Sequence, residues 1–133
     1  MSYLLLFLFI LNFQEAKSLQ DFQWERRVLV LFDCQQLGEM KSNLEKDIKE
    51  RRLLVVRFEG EKILEISEDV EINKESFLTL KQEGSRSSQW YLLGLDGGVK
   101  ATGNSLDFDW EKVFRKIDSM PMRQSEIRNG LKN

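Results

Sequence analysis

Hydrophobic and polar positions follow two different periods along this chain, and each change of period marks an element. Arg27 to Phe32 (RVLVLF) is an almost unbroken β-branched and apolar run, the pattern of a strand covered on both faces. Asp33 then offers a helix N-cap. Leu37, Met40, Leu44 and Ile48 recur at spacings of 3, 4 and 4, one apolar stripe on an amphipathic helix. Leu53 to Phe58 (LLVVRF) repeats the buried-strand pattern, so the strand–helix–strand order implies a parallel pair with a right-handed crossover.

From Glu59 to Glu75 the chain is acidic, with Ile63, Ile66, Val70 and Ile72 in no firm period, and it reads as an extension of the second strand plus a loop. Asn73 can cap a short helix carrying Phe77, Leu78 and Leu80, ended by Gly84 and followed by a polar loop over Ser85–Ser88. Trp90 to Leu95 is a third strand. Asp96-Gly97-Gly98 is a tight hairpin turn needing positive φ at its centre, and Val99 to Thr102 returns antiparallel. Ser105 or Asp107 caps a final helix whose buried stripe is Trp110, Val113, Phe114 and Ile117. Pro121 stands where that helix must stop, with one further helical turn expected in the tail. The order β-α-β-α-β-β-α describes an α/β domain, a mixed sheet flanked by helices; it is the order of the thioredoxin fold, and several other small α/β folds come close to it.

Composition narrows the chemistry. The chain has 133 residues, enough for a single domain, and carries 20 Lys+Arg against 22 Asp+Glu. That near-neutral balance removes the electrostatic footprint of a nucleic-acid binder. There is no histidine, which excludes Ser-His-Asp and Cys-His catalysis and every zinc site that needs imidazole. A lone cysteine forbids an intrachain disulfide and a CxxC motif. The acidic stretch lacks the DxDxDG spacing of a calcium loop, and Gly97-Gly98 follow a strand without opening a helix, so no phosphate loop is present. No cofactor and no metal are expected.

The N-terminus carries its own signal. Tyr3 to Leu11 are nine apolar positions in a row, too short for the roughly 20 residues of a membrane span but fitting the core of a secretory signal. Ala16-Lys17-Ser18 supplies small residues for cleavage after Ser18. The alternative is that the run is a buried strand or an uncleaved anchor; the expectation is a signal peptide over residues 1–18 and one domain over 19–133. Such a chain is periplasmic or secreted, with no stable membrane span after cleavage.

Three segments carry a sharper likeness: FQWERRVLVLF at residues 22–32, LGLDGGVK at 93–100 and IDSMPMRQ at 117–124. Together they resemble the thioredoxin-like domain of unknown function family 4174, small exported bacterial proteins whose domain also recurs in animal matrix-associated proteins with sushi repeats. The resemblance implies a thioredoxin-like fold and an extracytoplasmic location, and it brings no established reaction. The animal relatives point to adhesion or matrix binding, hence an unknown protein or matrix partner.

Thioredoxin chemistry needs an attacking thiolate, a resolving cysteine three residues on and a cis-proline before the third strand. Here Leu37 occupies the resolving position and no proline lies near Trp90, so dithiol exchange is excluded. Two readings of Cys34 are left: a small half-buried apolar residue, or the single thiol of a peroxidase-like or redox-sensing protein. The second requires Arg26, Arg27, Arg57 or Thr102 to converge on it. At the C-terminal motif, Asp118 and Arg123 can pair across the helix end while Met120 and Met122 fill the core. The functional alternative makes Arg123 and Arg128 an anion or partner site. Among Trp90, Tyr91 and Trp110, at least two are expected in the core. The sequence is best read as a non-catalytic binding or structural module with Trp110, Arg123 and Arg128 as its candidate surface.

Overall fold

The computed structural model describes residues 15–34, 42–83 and 88–131. The apolar run after the signal-like segment becomes strand β1 (Arg27–Phe32), every residue of it buried. Helix α1 (Ser42–Glu50) leads to β2 (Leu53–Glu59), which lies parallel to β1 in the register Arg27↔Leu53 to Phe32↔Phe58. Strand β3 (Lys62–Ile66) folds back on β2, and helix α2 (Lys74–Glu83) crosses to β4 (Trp90–Leu93), antiparallel to β1. Strand β5 (Val99–Gly103) pairs with β4, and helices α3 (Trp110–Asp118) and α4 (Pro121–Leu131) close the chain. The sheet order is β3-β2-β1-β4-β5.

Because side chains alternate along a strand, the continuous apolar runs feed two cores at once. Val28, Val30, Phe32, Leu54, Val56, Phe58, Tyr91 and Leu93 face a 3-10 turn at Leu19–Phe22 and helix α2, whose Phe77 and Leu80 fill that side. Leu29, Leu31, Leu53, Val55, Trp90 and Leu92 face Ile48 of α1 and Val113 and Ile117 of α3. Trp90 and Tyr91 are therefore both core residues, on opposite faces. Leu37 and Met40 of the expected α1 stripe, Gly84 to Ser87 and the apolar run at residues 3–11 lie outside the described residues. Leu44 and Ile48 do face the core.

Three local expectations are corrected. The acidic stretch is not an extended second strand plus loop: it turns at Gly60 (φ +59) and forms β3. A register shift between Arg57 and Phe58 breaks the alternation there, which is why Ile63 and Ile66 showed no period. Neither Ser105 nor Asp107 caps the helix after β5; Asp109 does, its Oδ1 accepting the Glu111 N–H at 3.0 Å, while Asp107 closes a separate 3-10 turn. The tail holds more than the one further turn expected, although the preceding helix does stop, at Asp118, ahead of Pro121. Pro121 opens the 11-residue α4, because the first turn of a helix has no use for the N–H that proline lacks. The hairpin turn forms as its glycines require, with Gly97 at φ +82 and the Gly94 N–H donating to the Gly98 carbonyl at 2.9 Å.

Candidate functional site

At the C-terminal end of β1, Asp33 adopts a left-handed conformation (φ +56), accepts the Gly60 N–H on Oδ1 at 2.8 Å and faces Lys81. Cys34 follows, 4% exposed, its Sγ lying 3.5 Å from the Phe32 carbonyl and 4.0 Å from that of Gln89. Burial pushes the thiol above its ordinary range; the Arg57 charge opposes this and the Asp33 charge adds to it. Of the four residues that peroxide chemistry would gather here, Arg57 alone makes contact, its Nη2 donating to the Cys34 carbonyl at 3.4 Å and its Nη1 pairing with Glu65 at 2.9 Å. Arg26 and Arg27 stand at the start of β1, and Thr102 is an exposed residue of β5. Gln89 precedes β4 and uses its N–H to bond the Gly103 carbonyl at 2.7 Å, a donor that a proline there could not supply.

The C-terminal motif builds an arginine cluster where α3 meets α4. Asp118 accepts from Arg51 Nε and Nη2 at 3.1 and 2.9 Å and from Arg123 Nε at 3.0 Å. Arg123 also donates to the Glu50 carbonyl at 3.0 Å, tying α4 to α1. Arg128 is exposed and donates to Ser125 Oγ at 3.2 Å. Trp110 lies between the Phe108 and Phe114 rings, centroids 5.1 and 5.8 Å away. It opens α3 while Asp118 closes it, about 12 Å along the axis. Trp110 thus stands at one end of α3 and Arg123, through Asp118, at the other.

A feature that the sequence reading missed sits at the other end of β1. A cleft of about 460 Å3 opens between the β4–β5 turn and the α3–α4 junction. Its lining includes Trp24, 56% exposed and left-handed at φ +69, and Met122, 47% exposed, with Leu95, Met120 and Pro121 between them. Arg27 also borders it, although its side chain is 1% exposed. Arg27 Nη1 donates to the Arg51 carbonyl at 2.9 Å and to Glu126, but Nε and Nη2 are buried without a hydrogen-bond partner. Unpaired buried donors cost about 1–3 kcal/mol each, so this is an expensive way to leave a guanidinium. Every lining residue except Lys116 belongs to one of the three segments that carry the family likeness. The signal was thus in those segments, but nothing in a linear reading says that they meet.

Among the described residues, no group of three or more His, Cys, Asp or Glu is placed to hold a metal ion, and no helix is long and apolar enough to cross a membrane. Fold and site together define a thioredoxin-like α/β domain with one buried cysteine at the end of β1 and a cleft at the opposite end of that strand. The chain belongs to the family described as domain of unknown function (DUF4174), whose model matches residues 18–126. No curated protein and no solved structure matches it.

Proposed function

We propose that this protein is an exported, non-catalytic binding module that keeps a thioredoxin-like scaffold without its redox equipment. The observation that carries the reading is the state of Cys34. Its thiol is buried against two carbonyl oxygens and is harder to ionise than a free cysteine. A nucleophilic thiolate needs access and a lowered pKa, and both are opposed here. The cleft beside Trp24 and Met122 supports a binding role, since its volume falls in the range of roughly 300–1,000 Å3 typical of ligand sites. Export rests on the apolar run and the small residues around position 18.

Two measurements test the reading. Wild-type protein and the Cys34→Ala variant are expected to consume peroxide with a thiol donor at the same background rate. Consumption that depends on Cys34 would replace the binding module by a single-thiol peroxidase or redox sensor. For export, the N-terminus of protein recovered outside the cytoplasm should begin at Leu19, whereas retention of the whole chain inside the cell contradicts it.

A further inference from the structure

Arg51 and Arg27 expose the same chemical edge in two different states. The Nε–H and one Nη2–H of a guanidinium point the same way and form the fork that grips a carboxylate through two parallel hydrogen bonds. In Arg51 that fork is filled by Asp118. In Arg27, one of the residues that line the cleft, the same two nitrogens are buried and have no partner.

We infer that the cleft binds a small amphipathic monocarboxylate, with the acid head on the Arg27 fork and the apolar body along Trp24, Leu95, Met120 and Met122. This rests on the reading of the protein as a binding module and gives that module a ligand class. Charge favours an anion. Glu126 is the carboxylate nearest Arg27, and it is shared with Arg52 and Arg123, each 3.7 Å away. Lys116 brings a further cation to the wall, while Lys100 on the same side is paired with Asp96 at 2.8 Å. A planar carboxylate suits one open fork flanked by apolar surface, whereas a phosphate dianion calls for more donors than this wall offers. Both open nitrogens are closed to solvent, so the head group enters as flexible lining side chains turn aside, for which the thioethers of Met120 and Met122 are well suited.

The test is a titration of the protein with decanoate and with decan-1-ol, below their aggregation limits, followed by Trp24 and arginine side-chain NMR signals. Decanoate is expected to shift the Trp24 indole and to move the Arg27 Nε–H downfield, and to bind about 10–100-fold more tightly than the alcohol, the worth of a charge-assisted pair. Arg27→Met should reduce decanoate to the level of the alcohol. Lys116→Glu, a surface change that leaves the fold intact, should weaken decanoate and spare decan-1-ol, and it decides the matter if Arg27→Met does not fold. Equal affinity for both probes overturns recognition of the anion while leaving the cleft as a binding site. Absence of any shift at Trp24 and Arg27 overturns the ligand class altogether. Neither result touches the peroxide assay on Cys34, so this inference and the non-catalytic reading fail separately.

Discussion

Asp118 holds Arg51 through both carboxylate oxygens, at 3.1 and 2.9 Å, and with the same group reaches Arg123 across the turn to α4. Gln124 donates to the Asp118 main-chain carbonyl as well. One residue at the end of α3 therefore fixes where α1 ends and where α4 begins. Since Met120, Pro121 and Met122 lie inside that junction, it also shapes one wall of the cleft.

Asp118 should make stability acid-sensitive. Burial alone raises its carboxyl, but the hydrogen bonds and charges of Arg51 and Arg123 outweigh it and hold the group below the usual carboxylate range. The unfolded chain therefore takes up a proton first. The pair's contribution is present above about pH 4, the unfolded value, and is lost as pH falls through the lower folded value. Asp118→Asn is expected to cost about 1–2 kcal/mol at neutral pH, discounted for its partial exposure, in urea unfolding. The gap between variant and wild type should close below about pH 4. A gap that persists undiminished in acid contradicts the ion-pair account.

Cys34 acts in the opposite pH direction. Burial raises its thiol, Arg57 opposes and Asp33 reinforces, with a net rise. The unfolded chain releases the thiol proton first, so this contribution is intact below the unfolded thiol range near pH 8.5 and is lost as pH climbs through the higher folded value. Native protein should react with iodoacetamide far more slowly than urea-unfolded protein at pH 8. Wild type should lose more stability than Cys34→Ala as pH is raised beyond about 9. Equal alkylation of native and unfolded protein contradicts the sealed thiol.

Gly103 ends β5 directly against the Trp90 ring, where an added Cβ would come within 2.7 Å of Cζ2 and Nε1. Trp90 cannot move away freely, because its Nε1 donates to the Asn104 carbonyl at 3.1 Å and its ring packs edge-on against Phe108. Gly103→Ala is expected to destabilise by about 1–3 kcal/mol through overpacking. Indole fluorescence should shift with it. A melting temperature equal to wild type would show that the ring has room.

How much of this was legible depends on range along the chain. RVLVLF and LLVVRF announce two-sided burial on their own, and Asp96-Gly97-Gly98 announces its turn, because each is a local pattern with a local cause. Strand β3 was hidden by the register shift at Arg57/Phe58, and α4 by a proline whose meaning depends on whether it ends one helix or starts the next. The Asp118–Arg123 pair spans five residues and was legible as a possibility of the motif. Arg27 was not. A charged residue at the head of an apolar strand looks like its solvated flank, and its carboxylate partner, Glu126, is 99 positions away. The surroundings of Arg27 come from Arg51 after α1 and Glu126 on α4, a meeting that no local pattern in the tail foretold.

The Arg27–Glu126 contact should be asymmetric when cut. Arg27 is buried, whereas Glu126 keeps about a quarter of its side chain exposed and has Arg52 and Arg123 within 3.7 Å. Glu126→Gln leaves a buried guanidinium that already has two open donors and now lacks its counter-charge, a loss of about 2–3 kcal/mol after allowing for that exposure. Arg27→Met removes the buried charge and both unpaired donors together, and the remaining carboxylate can hydrate and keep its other arginines, so the expected change is within about 1 kcal/mol. Combining the two should recover most of the Glu126→Gln loss. Chemical unfolding of the four proteins in a double-mutant cycle checks this. The arrangement described here is wrong if Arg27→Met proves the more damaging of the two single changes.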